Sequence, residues 1–155
     1  MKKLVIFGVG LIGGSVALAL KRAETTPHIV GVGRSGVSLQ TALDLGVIDA
    51  VETDPAKALA DADMVIIAVP VAQTPSILKA IAPHLNPYTI ITDVGSTKSD
   101  VIQHAHAILG KNATQFVPGH PIAGAEKSGV SAARADLFDG KNVVLTPTEN
   151  TNTQA

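Results

Sequence analysis

The 155-residue sequence contains no cysteine and no tryptophan. Without cysteine there are no disulfide bonds and no thiolate metal sites, which is compatible with a reducing cytoplasm, where we expect the protein to act. Aromatic residues make up only 3% of the chain while apolar residues make up 46%, so Val, Ile, Leu and Ala must fill the core. This composition is typical of parallel strands covered on both faces by alanine-rich helices.

Charged clusters and metal-binding patterns are also lacking. The net charge is -1 and no basic cluster is present, which disfavours nucleic acid as a partner. Residues 4–20 are apolar, but they include three glycines at the spacing of a nucleotide-binding turn, and no small-residue cleavage site lies in a suitable place, so we expect neither a signal peptide nor a membrane span. His104 and His106 fall on different helix faces, and nothing else has metal-ligand spacing, so no metal is expected.

The most informative pattern is a glycine turn near the start of the chain. Gly8-x-Gly10-x-x-Gly13 follows the apolar residues 4–7 and precedes an apolar, alanine-rich stretch that ends near Ala23. The order indicates a buried strand, a tight turn and a helix. This is the context that the dinucleotide-binding fingerprint requires.

Each glycine of this motif has a physical task. Gly8 allows the tight turn, Gly10 lets the backbone approach a pyrophosphate, and Gly13 lets the helix pack close to the strand. The first helical residues, Leu11 and Ile12, would present unpaired N–H groups and a partial positive charge to the phosphates. The alternative is a glycine-rich turn that binds no ligand.

The second strand carries a signal for the choice of cofactor. In the usual fingerprint an acidic residue about twenty positions after the glycines holds the ribose 2′-hydroxyl. Here that position is Gly33, and Arg34 and Ser35 follow it. A glycine leaves room for a 2′-phosphate, a guanidinium binds it, and a hydroxyl donates one more hydrogen bond. The pattern predicts NADP rather than NAD; alternatively, Arg34 only ends the strand and either cofactor binds.

Strands and helices alternate along the whole chain. Further strands are predicted at residues 28–33, 47–51, 63–70, 89–93, 115–118 and 142–146, with helices at 38–45, from 54, 74–84, 95–109 and 130–135. Asp54-Pro55 and Thr74-Pro75 each predict a capping residue followed by a proline in the first helical turn. A chain break is predicted at residues 25–27. The fold predicted is α/β: a doubly wound, Rossmann-type, mostly parallel sheet with helices on both faces.

In such a sheet, ligands bind beyond the carboxyl ends of the strands. The segments expected at that crevice are 8–13, 33–35, 69–73, 93–98 and 119–126. Among them, Val69, Pro70 and Asp93 are expected to contact the cofactor. Residues 1–147 are expected to form the one domain, and 148–155 a polar tail or the start of a linker.

Two of these segments are rich in polar side chains. Asp93-Val-Gly-Ser-Thr-Lys98 places a serine and a lysine at a strand-to-helix turn, although a helix-capping Ser96 and a surface Lys98 would also explain it. Residues 119–129 carry His, Glu, Lys and Ser between glycines. His120 could simply end a strand, but loops at these strand ends usually carry chemistry.

Three motifs together resemble one enzyme family. They are Gly8-Val-Gly-Leu-Ile-Gly-Gly-Ser15, Asp93-Val-Gly-Ser-Thr-Lys98 and His120-Pro-Ile-Ala-Gly-Ala-Glu-Lys-Ser-Gly129, and residues 137–147 add to the likeness. The chain is similar to the prephenate/arogenate dehydrogenases of tyrosine biosynthesis, from Met1 to about Pro147. The resemblance implies oxidative decarboxylation of a cyclohexadienyl substrate, with hydride transfer from the carbon that bears the 4-hydroxyl to the nicotinamide.

The resemblance also implies residue roles. His120 matches the catalytic histidine that takes the hydroxyl proton, and Ser96 matches the serine that orients the histidine and the hydroxyl. Glu126 matches an acidic residue near the substrate side chain. Neutral imidazole suits the role of such a base, because the ordinary pKa of an imidazole lies near the operating pH.

Family members continue into a helical domain that dimerises and supplies cationic groups for the substrate carboxylates. The resemblance therefore implies the cofactor-binding half of a homodimeric enzyme, which by itself binds NADP but turns over little substrate. Two alternatives remain open. One is another two-domain NADP dehydrogenase; the other is a stand-alone nucleotide-sensing module, which the clustering of His120, Ser96 and Glu126 opposes.

Overall fold

A sheet of six parallel strands runs through the centre of the molecule. The structure is a computed structural model, and it describes residues 1–23 and 26–152. The strands of the sheet are β1 (Lys3–Phe7), β2 (His28–Val32), β3 (Ala50–Glu52), β4 (Met64–Ile67), β5 (Ile90–Asp93) and β6 (Phe116–Val117). The helices are α1 (Leu11–Arg22), α2 (Gly36–Asp44), α3 (Pro55–Leu59), α4 (Thr74–Ile81) and α5 (Ser99–Leu109). Short 3₁₀ segments are Val71–Gln73, Ala82–His84, Gly110–Gln115 and Val130–Ala132.

The strand order confirms the doubly wound fold. It is β3-β2-β1-β4-β5-β6, with every pair parallel, so the chain winds outward in one direction from β1 and in the other from β4. Val5 of β1 aligns with Val30 of β2 on one side and with Val65 of β4 on the other. The order reverses between β1 and β4, which is the place where sheets of this kind bind ligands, beyond the carboxyl ends of the strands.

The core lies in two layers, one on each face of the sheet. Val5 and Phe7 pack into a cluster with residues of α3, α4 and α5. Leu4 and Ile6 point the other way, into a cluster with residues of α1 and α2. The apolar run of β1 is buried on both faces because helices cover both, as predicted.

The observed starts of the helices agree in part with those predicted from the sequence. Asp54 caps α3, where its Oδ1 accepts a hydrogen bond from the amide of Ala56 at 2.9 Å, and Pro55 occupies the first turn, as predicted. The capping role predicted for Thr74 is wrong: α4 begins at this buried threonine, and Gln73 holds the capping position. The 3₁₀ segment Val71–Gln73 runs directly into the helix, which leaves no extended residue to cap it.

Two predicted boundaries are also wrong. The third strand was expected at 47–51, but Val47 donates its amide to Ala42 at 2.8 Å and closes the turn after α2, so β3 starts only at Ala50. The fifth helix was expected from residue 95 but begins at Ser99, with Lys98 at the capping position. Ser96 is therefore not a helix cap.

The largest difference concerns residues 119–146. The predicted loop starts with a strand, β7 (Gly119–Pro121), and the expected last strand of the sheet is β8 (Val143–Leu145). These two strands form a separate antiparallel ribbon in which His120 aligns with Val144. The partners are distant in sequence, so no local pattern reports the pairing.

Parts of two expectations fall outside the described residues, namely residue 25 of the predicted chain break and residues 153–155 of the tail. In the part of the chain that is described, no helix has the length and hydropathy to cross a membrane.

Candidate functional site

The turn after β1 needs a glycine at its first position. Gly8 has φ +95°, in the left-handed region. A Cβ there would lie 2.6 Å from the carbonyl oxygen of Ala68, which follows β4. The amide of Gly8 also donates to the carbonyl oxygen of Val32 at 2.9 Å. The turn is therefore locked between β2 and β4, at the point where the strand order reverses.

Gly13 and Gly10 are glycines for different reasons. A Cβ on Gly13 would overlap the carbonyl oxygen of Gly8 and come 3.0 Å from Cγ2 of Ile6, so α1 packs directly on β1. A Cβ on Gly10 would have no described atom within 4 Å apart from its chain neighbours. Gly10 thus borders open space at the start of the helix, where another molecule can approach the backbone closely.

The N-terminus of α1 suits an anion. Gly10 holds the capping position, and among the described residues no side chain caps the helix there and none in its first turn is acidic. The N–H groups at the start of the helix, beginning with Leu11 and Ile12, carry the positive end of the helix dipole. Together with the open space at Gly10, this geometry fits the diphosphate of a dinucleotide.

The neighbouring loops complete the crevice. Val69 and Pro70 follow β4, and the Cγ1 atom of Val69 lies 3.0 Å from where a Cβ of Gly8 would be. Beyond β2, a Cβ on Gly33 would meet the side chain of Leu39 at 3.6 Å, an ordinary contact. No steric reason therefore requires glycine at position 33, and its proposed role, room for a phosphate, stays a prediction.

Arg34 and Ser35 lie just past Gly33 and both are exposed. The Oγ atom of Ser35 caps α2 by accepting a hydrogen bond from the amide of Ser38 at 3.3 Å. The hydroxyl hydrogen of Ser35 is still available to a ligand, because capping uses only the oxygen. Their contact with a cofactor also stays a prediction.

A buried ion pair lies at the end of β5. Asp93 is only 2% exposed, and its Oδ2 accepts hydrogen bonds from the amide of Gly95 at 2.9 Å and from the ammonium of Lys98. Its Oδ1 accepts from the amide of Gly119 at 3.2 Å. The ammonium of Lys98 also donates to the carbonyl oxygen of Gly119 at 2.6 Å. The surface position considered for Lys98 is thus wrong.

This ion pair links the two segments that carry two of the predicted site residues. Ser96 follows Gly95, and His120 follows Gly119, so each is one residue from a hydrogen bond to Asp93. Ser96 is exposed and His120 is half-buried on β7. Glu126 is exposed in the loop after the ribbon strand. The catalytic and substrate roles of these three residues stay predictions.

Sequence reasoning missed the contacts that hold the segment after this loop. The buried hydroxyl of Ser15 on α1 accepts a hydrogen bond from the amide of Arg134 at 3.0 Å. Arg22 of α1 binds both carboxylate oxygens of Asp139, and the hydrogen bond from Arg22 holds the pKa of Asp139 below its ordinary value. The segment is thereby tied to the helix whose start forms the anion site.

A separate cleft of about 500 Å³ lies between residues 82–87 and 111–115. These residues precede β5 and β6, so the cleft is at the opposite edge of the sheet from the glycine turn. None of the predicted site residues lines it.

Comparison with known proteins places the chain in a family. Residues 16–155 match the family model described as "Prephenate dehydrogenase, nucleotide-binding domain". A prephenate dehydrogenase from Bacillus subtilis is 42% identical over 153 residues, which are 98% of this chain and 41% of that protein. A cyclohexadienyl dehydrogenase from Zymomonas mobilis is 37% identical over 156 residues, 99% of this chain and 52% of that protein.

Solved structures agree. The prephenate dehydrogenase of Aquifex aeolicus, in complex with hydroxyphenyl propionate and NAD⁺, superimposes with a TM-score of 0.91 at 39% identity, over 99% of this chain and 53% of that one. For the arogenate dehydrogenase of Synechocystis the TM-score is 0.87 at 31% identity, over 98% of this chain and 52% of that one. This chain thus spans about half the length of these relatives. By sequence and by fold, it belongs to the prephenate dehydrogenase family and corresponds to the nucleotide-binding domain of that family.

Proposed function

We propose that this chain is the dinucleotide-binding part of an enzyme of tyrosine biosynthesis that oxidatively decarboxylates prephenate or arogenate with NADP. One observation carries the proposal: the carboxylate of Asp93 bonds the neighbours of both Ser96 and His120 at the edge of the sheet where the glycine turn lies. A general base and its orienting hydroxyl then stand beside a dinucleotide crevice. The names of the relatives support this choice of reaction.

The cofactor half of the site uses backbone and small residues. Bound NADP supplies a nicotinamide ring that accepts a hydride. The glycine turn and the start of α1, residues 8–13, bind its diphosphate through backbone N–H groups. Val69 and Pro70 line the crevice past β4. Arg34 and Ser35 bind the 2′-phosphate, which Gly33 leaves room to enter.

The substrate half depends on His120. Its imidazole accepts the proton of the ring hydroxyl while hydride leaves the carbon that bears this hydroxyl. Ser96 orients both the imidazole and the hydroxyl. The bond between the ring and its carboxylate then breaks and carbon dioxide leaves. The electron pair of that bond makes the ring aromatic, and the ring oxygen takes back a proton from the imidazole. Glu126 lies near the substrate side chain. A positioned base of this kind accelerates such a reaction by roughly 10²–10⁴-fold.

We infer that residues 1–147 act with a second, helical domain that follows residues 148–155 and forms a homodimer in the cytoplasm. Apolar side chains of the ribbon support an additional domain, because Val143, Val144 and Leu145 are 45–57% exposed beside His120. This chain by itself is then expected to turn over little or no prephenate or arogenate. Normal steady-state activity of the purified 155-residue chain would contradict this expectation.

Cofactor choice is tested by calorimetric titration of the chain with NADP and with NAD. We expect NADP to bind at least tenfold more tightly, which is about 1.4 kcal/mol. A tenfold preference for NAD would refute the role assigned to Arg34 and Ser35. If neither dinucleotide binds, the diphosphate site itself is wrongly assigned.

The base is tested with His120→Asn in a longer polypeptide that carries this chain. We expect turnover to fall by two to four orders of magnitude while NADP affinity changes less than twofold. His104→Asn, an exposed histidine on α5, is the matched control and should leave turnover unchanged. Unchanged turnover in His120→Asn would instead favour a module that binds the nucleotide without chemistry.

A further inference from the structure

We propose that Asp93 and Lys98 are positioning residues that set the placement of Ser96 relative to His120. The inference rests on the proposed function, since it assumes that these two residues act together on a substrate. The sequence predicts Asp93 as a cofactor contact and indicates no role for Lys98.

The carboxylate of Asp93 is shared between two loops. Its Oδ2 accepts the amide of Gly95 at 2.9 Å and its Oδ1 accepts the amide of Gly119 at 3.2 Å. Ser96 and His120 come next in the chain after these glycines. Because one rigid, planar group bonds both neighbours, the two loops cannot move apart without losing a charge-assisted hydrogen bond.

Lys98 bonds the same two loops, and together with Asp93, Gly95 and Gly119 it forms what we call the clamp. Its side chain is 15% exposed, and its ammonium bonds both the carboxylate of Asp93 and the carbonyl oxygen of Gly119, the latter at 2.6 Å. Both backbone polar groups of Gly119 are therefore bonded to the ion pair. Removing either partner leaves the other charge buried without its counterion, which is strongly unfavourable.

The packing around the clamp leaves little freedom for adjustment. A Cβ on Gly95 would come 2.9 Å from Oδ2 of Asp93. A Cβ on Gly119 would come 2.9 Å from the carbonyl oxygen of Asp93 and 3.0 Å from Oγ1 of Thr92. Both glycines therefore lie directly against Asp93, and neither position has room for a side chain.

All these contacts are within the protein, which favours an indirect role. Each carboxylate oxygen of Asp93 already has at least one protein donor, and Lys98 has two acceptors. A direct cofactor contact would show itself in dinucleotide affinity. Positioning would show itself in the surroundings of His120 and in the rate of the chemical step.

The first test uses NMR on the 155-residue chain with the variants Lys98→Met and Lys98→Arg. We expect Lys98→Met to raise the exchange rate of the Gly119 amide at least tenfold and to shift the imidazole resonances of His120. Lys98→Arg, which keeps the charge and the donors, should restore most of both. Lys79→Met, at an exposed lysine on α4, is the control and should change neither.

Unchanged His120 resonances in a folded Lys98→Met chain would overturn the proposal and leave an ion pair that only stabilises the fold. If Lys98→Met does not fold, the neutral pair Asp93→Asn with Lys98→Gln replaces it, because amide groups of similar size keep the packing. The same criteria then apply to the His120 resonances of that double variant.

The second test measures kinetics in a longer polypeptide that carries the chain. We expect Lys98→Met to lower kcat roughly 10–100-fold, the scale of a misplaced catalytic group, with NADP affinity changed less than twofold. A loss of NADP affinity at normal kcat would overturn positioning and restore the cofactor contact. Failure of the proposed function is separate: it appears as normal turnover in His120→Asn, whatever the NMR spectra of Lys98→Met show.

Discussion

Gly13 packs so closely on Gly8 that a Cβ at Gly13 would overlap the carbonyl oxygen of Gly8. Gly8 begins the turn after β1, and Gly13 lies in the first turn of α1. Their contact brings the positive end of the helix directly to the carboxyl edge of the sheet. This contact gives Gly13 a structural role in the motif, whereas Gly10 borders open space.

Substitution of Gly13 and of Gly10 should therefore change the stability of the fold by different amounts. Gly13→Ala is expected to lower the free energy of unfolding by about 1–3 kcal/mol, since the methyl group has no room. Gly10→Ala is expected to change it by less than about 0.5 kcal/mol, because its Cβ meets no described neighbour. Urea denaturation of both variants measures the difference.

Calorimetry on the same pair gives the complementary result. Gly10→Ala should weaken NADP binding tenfold or more, because its methyl group occupies the space proposed for the diphosphate. Equal stability of the two variants, or normal NADP affinity of Gly10→Ala, would show that the roles of the glycines are wrongly assigned.

Cofactor preference should be reversible at position 33. Gly33→Asp is expected to favour NAD over NADP, since a carboxylate repels the 2′-phosphate and accepts a hydrogen bond from the 2′-hydroxyl. The new Cβ contacts Leu39 at an ordinary 3.6 Å, so the fold should be kept. Arg34→Ala should weaken NADP binding tenfold or more and NAD binding less than twofold. The idea fails if Arg34→Ala weakens both dinucleotides equally.

Acid should remove the stabilising contribution of Asp49. Partial burial raises the pKa of this carboxyl, but hydrogen bonds from Lys21 and from the amide of Ile29 outweigh burial and lower the pKa below its ordinary value of 3.8. A carboxyl whose pKa is lower in the folded than in the unfolded chain stabilises the fold at pH values above its ordinary pKa. This stabilisation is lost as the pH falls through the pKa of the folded state.

Asp49→Asn should therefore cost about 1 kcal/mol at neutral pH, a modest figure because the side chain is about one-third exposed. The difference from the parent chain should shrink as the pH falls below 3.8. Urea denaturation across this range measures it, with Asp44→Asn on the exposed side of α2 as the control. A difference independent of pH would mean that the carboxylate charge is not what stabilises.

Much of the fold could be predicted because its signals are local. Residues 4–7 form a buried strand, and the glycines that follow turn the chain into α1 at their predicted positions. Asp54 and Pro55 start α3 as expected. Errors arose where local signals compete: Val47 is as apolar as a strand residue, but it closes a helix instead.

The candidate site could be predicted only as a set of loops. Each polar segment follows a strand, and parallel strands bring their carboxyl ends to one edge, so the edge could be derived from the sequence. What could not be derived was the partner of each side chain. Lys98 has the same sequence signal whether it is in solvent or buried, and its bond to Gly119 spans 21 residues.

The sequence by itself determined the glycine turn, the alternation of strands and helices, and the family, because each depends on residue types at short, fixed spacings. Only the tertiary structure decided that Asp93 and Lys98 bind Gly119, and that His120 lies on an antiparallel ribbon with Val144. The physical reason is the distance along the chain. A buried charge needs a hydrogen-bond partner and an unpaired strand needs a neighbouring strand. The folded backbone supplies both from positions far away in the sequence.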